Sequence, residues 1–353
     1  MSQSQSAEVL IVGAGIAGLS LARHLQNAGI GSILLERAAG VGGRCATRRV
    51  EGRPVDHGTP FLHGRDAGLL AALDAVTDAT PLPGWPHRRI GGGVPCQPEA
   101  FEGVDRLLAF REGLTRFPKH LARGLDVRLR HEIASLRPAD DAPLLEVVTA
   151  DGVAFRAGTV ALTMPAPSAD RWLAPLEERS SDLAATRVLR RQIRTLPCLA
   201  VIATYAPDAA RTDFDVCYPS SSTMVHAIVN DAAKRGAGSP PTLVVQGRPR
   251  FSREFMERPR DEWARELLWE AGEFLGAWVE RPVAREEHVW RHARIDPTSE
   301  LAAPLLVGLE NGSAIALCGD GFSPHGGVEG AFRSGRSLAA RIQTLRAAPV
   351  GRP

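Results

Sequence analysis

The stretch VLIVGAGIAG, residues 9–18, runs four apolar residues straight into glycines at positions 13, 15 and 18. The apolar run has the length of a buried strand, and Ile16, Leu19, Ala22 and Leu25 then fall at helical spacing up to Gly29. Residues 32–36, SILLE, read as a second apolar strand that closes on an acid, so the first 36 residues predict a compact β-α-β unit. In such a unit Gly13 permits the tight turn, Gly15 lets backbone approach a pyrophosphate, and Gly18 allows close helix–strand packing. The N–H groups that open the helix then face phosphate. Glu36 is placed to accept hydrogen bonds from both hydroxyls of an adenosine ribose, and its charge repels a 2′-phosphate, which disfavours NADP. A second element, GVGGRCATRR, brings another close backbone approach at Gly42 and Gly43 and a planar fork at Arg44 suited to phosphate oxygens, which separates a flavin dinucleotide from a nicotinamide one.

The whole chain is compatible with that start. Its 353 residues are enough for about two domains. Hydrophobic residues at 44% and charged residues at 23% match a folded globular protein. A formal charge of +2 without a dense basic block points away from nucleic acid and anionic membranes. Basic residues are nearly all Arg, with Lys only at 119 and 234, which reads as a compositional bias. The five cysteines are scattered and odd in number, with no His or Cys spaced for a metal, so free thiols and no metal are expected. The opening MSQSQSAE lacks the basic start of a signal peptide, and the glycines interrupt the apolar run too early for a membrane span. A cytoplasmic protein is the expectation.

Further along, residues 66–110 are rich in Pro and Gly and predict loops and short strands. Residues 114–121 predict a short helix. DVRLRHEIASL reads as one strand, LLEVVTADG as part of a hairpin, and TVALTMP as a core strand stopped by proline. LAVIATYA and TLVVQG are apolar strands, a long amphipathic helix runs through Trp263, Leu267, Phe274 and Trp278, and SAIALCGDG is a buried strand. Val328, Phe332, Gly335, Leu338 and Ile342 mark one face of a final helix.

VGAGIAG, Glu36, GGRCATRR and VDHG together resemble the start of the flavin-containing amine oxidase superfamily, and CGDGFSPHGGVEGAFRSGRSLA resembles its end. Within it the chain is most similar to renalase and its bacterial relatives, through GGRCATRR, DHGTPFLHGRD, ALTMPAP, HVWRHARI and GGVEGAFRSG. The fold implied is α/β. A Rossmann-like FAD-binding domain of glutathione reductase type is expected from 1–66, 106–166 and 296–345, and an α+β substrate domain with a mixed sheet from 67–105 and 167–295, with flexible tails at 1–7 and 346–353. The resemblance implies that Gly13, Gly15, Ile16, Ala17, Gly18, Glu36, Arg37, Gly43 and Arg44 hold the ADP half of a non-covalent FAD, and that Ile133 meets the adenine through its backbone. It also implies that Gly58, Thr59 and Pro60 lie beside the flavin, Asp320 on the ribityl-pyrophosphate side, and Val328 and Glu329 at the pyrimidine ring.

Three departures bear on the substrate. Thr59 and Pro60 stand where the family commonly has Ala-Gln, and TLPCLAVIATYA carries no lysine where many amine oxidases place one that bridges through water to the flavin. Gln246 and Arg248 stand where renalase-like chains more often show His and a small residue. His57, Gln246, Arg248, Trp290, His292 and His325 are the pocket candidates; Trp290 and His292, two apart, would face the same way on a strand. The expected function is an FAD-dependent oxidase that moves a hydride from a small organic substrate to flavin N5, with O2 regenerating the flavin and giving H2O2. A dihydro-NAD(P) isomer of the kind renalase-like enzymes oxidise is one substrate. An amine oxidase or desaturase, a flavin monooxygenase, and a flavin-free binding protein like the Rab GDP-dissociation inhibitors are the alternatives. Oligomeric state is left open.

Overall fold

The computed structural model describes residues 5–95, 98–210, 212–324 and 326–347. The chain divides into two compact units. The first comprises the described residues up to Gly43, Phe117–Thr195 and those from Ile295, and the second Arg44–Arg116 and Leu196–Arg294.

The first unit is built outward from strand β1, Gln5–Val12. Helix α1, Ile16–Asn27, follows the glycine turn, and strand β2, Ser32–Glu36, returns parallel to β1 with Val9 opposite Ser32. On its other side β1 pairs in parallel with Ala154–Leu162, and β2 pairs in parallel with Asp126–Leu129. Ala314–Leu317 joins Ala154–Leu162, again parallel, while the Ile133–Pro138 and Leu145–Thr149 strands add antiparallel pairs. Val12, Leu35, Val160, Leu162 and Leu317 are buried in one apolar cluster, as expected of parallel strands covered on both faces. The last helix, Gly327–Ala347, lies on α1. At Gly335 a Cβ would meet the Ala17 carbonyl at 2.3 Å and the Leu21 nitrogen at 2.8 Å, so only glycine allows this approach.

The second unit centres on a sheet of order Ala284–Ile295, Thr195–Thr204, Thr242–Gly247, Val225–Asn230, Val216–Cys217 and Arg89–Ile90. Its inner pairs are antiparallel and its Val216–Arg89 pair parallel, so the sheet is mixed, as expected. The helix Arg260–Leu275 buries Trp263, Leu267 and Ala271 against it.

Several expectations are corrected. Residues 44–66 and 106–116 belong to the second unit, because their hydrogen bonds run to it. Gln246 donates to the Gly58 carbonyl, Trp290 to the His57 carbonyl, and the Leu114 amide to Asp56. Residues 167–195 belong to the first unit, where Leu173, Leu176, Leu183 and Ile193 pack into the core around Leu162. Residues 5–7 are strand, paired from Gln5 opposite Phe155, and the last helix runs to Ala347; residues 1–4 and 348–353 lie outside the described residues. DVRLRHEIASL is two strands, since Arg130 takes a positive φ of 63° between them. The long helix ends before Trp278, at Gly276, whose φ is 100°.

Candidate functional site: a dinucleotide cradle and a histidine face

Within the first unit, the turn from β1 to α1 has the shape that the glycines require. Gly13 takes a φ of 109°, and its amide donates to the Leu35 carbonyl at 2.8 Å. A Cβ at Gly18 would fall 2.0 Å from the Gly13 carbonyl oxygen. Thr163, in the TMPAP segment, donates its hydroxyl to the Val12 and Gly13 carbonyls at 3.0 and 2.9 Å and so braces the turn from the neighbouring strand. Neither the proline that stops the strand nor the resemblance carried by ALTMPAP assigns this role to Thr163.

Gly15 is the N-cap of α1, with no side chain capping the helix and no acid in its first turn. The leading N–H groups of a helix lack intrahelical acceptors, and they carry the positive end of its dipole. A Cβ at Gly15 would meet no protein atom within 4 Å, so open space faces these donors. Gly43 comes close on another side, where a Cβ would lie 3.5 Å from the Gly15 Cα, and the Gly42 amide donates to the Ala14 carbonyl at 2.9 Å. The Glu36 carboxylate accepts from the Ala14 amide through Oε2 and from the Ala38 amide through Oε1, both at 2.8 Å. A carboxylate has about four lone-pair positions, so each oxygen keeps one for a ribose hydroxyl. Donor set, open space and oriented acid fit the pyrophosphate and ribose of FAD.

The structure places Ile16, Ala17, Arg37, Ile133, Asp320, Val328 and Glu329 in this same unit. Ile16 and Ala17 begin α1, Arg37 is exposed just beyond β2, and Ile133 is the buried first residue of the strand Ile133–Pro138. Asp320 is buried after the Ala314–Leu317 strand, and Val328 and Glu329 lie in the first turn of the last helix. His325 falls outside the described residues.

Arg44, His57, Gly58, Thr59, Pro60, Gln246, Arg248, Trp290 and His292 lie in the second unit. Here the DHGTP segment is held at almost every residue. The Thr59 amide donates to the Arg44 carbonyl at 3.0 Å, and the Arg44 guanidinium reaches the Ala293 carbonyl at 3.4 Å. Gly58 admits no side chain, since a Cβ would lie 2.4 Å from the Arg44 carbonyl oxygen and 3.0 Å from the Trp290 ring. Gln246 Nε2 donates to the Gly58 carbonyl at 2.7 Å. Arg248 donates instead to the Ser222 and Pro219 carbonyls, which ties down a loop.

His288, Trp290 and His292 share one face of the strand Ala284–Ile295. The Trp290 ring lies 5.1 Å from His57 and 4.1 Å from His288. His288 was missed, although the same two-residue period extends from Trp290 back to it. Burial, then the neighbouring His288 and Arg48, depress His57 to about 3. Burial, then Arg48 and Arg260, depress His288 to about 4. Burial, then Arg294 and Arg248, depress His226, on the strand Val225–Asn230 of the same sheet, to about 3. His57 Nδ1 is buried without a hydrogen-bond partner.

These shifts set an acid sensitivity. Native imidazoles that refuse protons down to about pH 3 or 4 become accessible on unfolding and protonate near their ordinary 6.5. Stability is therefore complete above about pH 6.5 and declines as the pH falls towards 4, by at most about 1.4 kcal/mol per pH unit for each buried ring. Urea midpoints at pH 7 and pH 5 should differ measurably, and His57→Phe should shrink the difference. Equal midpoints for the parent protein would contradict the burial assigned to these rings.

Sequence reasoning also passed over Lys234. This residue is fully buried, and its ammonium donates to Asp56 at 2.6 Å and to the Pro60 carbonyl at 3.0 Å and forms an ion pair with Asp231 at 2.7 Å. Arg235 closes the cluster on the same two carboxylates. Burial alone would raise the Asp56 carboxyl, but the Lys234 and Arg235 charges outweigh it and hold the group well below the carboxylate range. Two hydrogen bonds and a second close carboxylate thus hold the ammonium in place. The available signal was the spacing Asp231, Lys234, Arg235 in a chain that otherwise uses arginine.

Such a cradle, in a unit with this strand order, is the geometry of a dinucleotide-binding domain. A model of the NAD(P)-binding Rossmann-like domain matches residues 11–74, and one described as flavin containing amine oxidoreductase matches residues 85–343. The chain belongs to this family of flavin-dependent oxidoreductases, and FAD is its cofactor. Polyamine oxidase 2 of Arabidopsis thaliana is 40% identical over 62 residues, which are 18% of this chain and 13% of that protein. The chain spans about a sixth or less of the length of the curated relatives it matches. Cyclohexylamine oxidase from Brevibacterium oxydans shares the fold with a TM-score of 0.68 at 14% identity, covering 96% of this chain and 99% of that one. Putrescine oxidase bound to putrescine does so with 0.67 at 15%, covering 97% and 100%. Among the described residues, no helix is long and apolar enough to cross a membrane, and no group of three or more His, Cys, Asp or Glu could hold a metal.

Proposed function

We infer that the protein is an FAD-dependent oxidase acting on a small organic substrate that already carries a labile hydride, such as a dihydropyridine related to reduced nicotinamide, with O2 as the final acceptor. The observation that carries this reading is the state of the chain's own bases. Lysine occurs only at 119 and 234, and Lys234 is fully buried in an ion cluster with Asp56 and Asp231. His57 and His288, depressed to about 3 and 4, are neutral at pH 7 and weak as proton acceptors. A side-chain set of this kind orients a ring and excludes water but removes no proton well, which suits a substrate that needs none removed.

In this reading Gly13, Gly15, Gly18 and Gly43 admit the pyrophosphate, and Glu36 holds the adenosine ribose. FAD, when bound, would supply a two-electron acceptor for the substrate C–H bond, with O2 as the terminal oxidant giving H2O2. His57, Trp290 and His292 offer ring faces for a flat substrate, while Gln246 and Lys234 fix the 57–60 backbone. Cys45 is buried, consistent with a FAD held without a covalent bond.

A second reading, oxidation of a small amine, rests on the relatives named above. One experiment separates the two. Oxidised, FAD-loaded protein is mixed anaerobically with dihydronicotinamide isomers and, separately, with putrescine and cyclohexylamine, while the visible flavin band is followed. Rapid bleaching by a dihydronicotinamide is expected. Bleaching by the amines alone would overturn the first reading.

A further inference from the structure

The second unit carries a cavity of about 370 Å3 that none of the assigned FAD or substrate residues lines. Its walls come from the hairpin formed by Thr47–Val50 and Arg53–Asp56, from residues 111–116, and from residues 231–242. A volume of this size lies in the range of small-molecule sites. Five arginines line it: Arg49, Arg53, Arg111, Arg116 and Arg235.

Only two carboxylates join them, and both are engaged. Asp231 is held by Lys234 and Arg235. Glu112 accepts from the Thr80 amide at 2.8 Å and the Thr80 hydroxyl at 2.9 Å. Arg116 reaches out to Asp78 at 3.2 Å. Three guanidinium groups remain without close neutralisation. Arg53 has its nearest carboxylate, the exposed Glu51, at 4.0 Å. Arg49 donates to the Gly52 carbonyl at 3.3 Å. Arg111 makes no salt bridge among the described residues, and its own carbonyl is taken by Arg235. Like charges gathered round one concavity repel, and an anion bridging them gains at each fork.

We propose that this cavity binds a small oxyanion carrying at least two negative charges, of the phosphate-ester or polycarboxylate class. The concavity favours a compact molecule over a nucleic acid or a membrane surface, which need an extended basic face. Its rear wall, Arg235 and Asp231, belongs to the ion cluster whose Lys234 grips the Pro60 carbonyl, so an occupant contacts the network that anchors the 57–60 segment.

The test uses protein saturated with FAD, which keeps the probe out of the dinucleotide cradle. Sodium pyrophosphate and sodium citrate are titrated separately in a calorimeter against sodium chloride at matched ionic strength. One site per chain is expected, with a dissociation constant below roughly 1 mM for the better probe. The double substitution Arg53→Ala with Arg111→Ala should weaken it by about 10-fold or more, since two charge-assisted contacts are lost. The corresponding double lysine variant should recover most of the affinity. Stronger binding of pyrophosphate assigns the site to phosphate esters and stronger binding of citrate to polycarboxylates, and either supports the proposal. No heat beyond the chloride control at millimolar probe, or an unchanged constant in the double alanine variant, overturns it. Both arginines are exposed, so the variants should fold, and an unchanged thermal midpoint verifies this.

Discussion

Lys234→Met is expected to lower the unfolding free energy by about 3–5 kcal/mol, the range for removing one partner from a buried ion cluster. The methionine fills similar volume, so the loss reports charge rather than a cavity. Asp56 and Asp231 would be left with Arg235 as their one shared cation, and the Asp56 amide donates to Asp231 at 3.2 Å, so the two acids cannot separate freely. Lys119→Met, on the exposed side of the helix Arg116–Ala122, is the control and should change stability by no more than about 0.5 kcal/mol. Urea titration of both variants decides the matter. Equal stability would show that the cluster contributes nothing and would remove the reason given for calling Lys234 structural.

Two substitutions in the glycine turn should separate folding from cofactor retention. Gly18→Val drives a side chain into the Gly13 carbonyl oxygen, 2.0 Å from the new Cβ, with Thr163 Oγ1 only 3.0 Å away. Backbone must move, so both the thermal midpoint and the flavin content should fall, with about 1–3 kcal/mol lost to overpacking. Gly15→Ala meets no protein atom, and Gly15 already has an ordinary backbone conformation, with a φ of −76°. That variant should fold with an unchanged midpoint yet bind FAD about 10-fold or more weakly, because its methyl occupies space proposed for pyrophosphate. The ratio of flavin to protein absorbance after purification is the measurement. Full flavin content in Gly15→Ala would contradict the cradle.

What could be read from the sequence was local. The turn at Gly13, Gly15 and Gly18 and the acid at Glu36 lie within one β-α-β unit, where spacing and residue type determine geometry over a few residues. Trp290 and His292 share a face because a strand alternates, and the same rule contained His288. The Lys234 cluster was hidden because its partner Asp56 lies 178 residues away, and no periodicity reports a contact of that range. Thr163 was hidden for the same reason, 150 residues from the carbonyl it braces. The unit boundaries shifted because motif similarity followed the cofactor, whereas residues 44–66 follow the hydrogen bonds made by Gln246, Trp290 and Lys234.

The packing of the last helix on α1 has a bearing on biosynthesis. Ser20 Oγ donates to the Phe332 carbonyl at 2.7 Å, across 312 residues of chain. At roughly 5–20 residues per second, a ribosome needs about 15–60 s to deliver the second partner after the first. Throughout that interval the face of α1 that receives Gly335 has no native cover, and the strand Ala314–Leu317 is also still to come. The dinucleotide turn, translated before the helix and strand that cover it, is thus completed only when those later elements emerge.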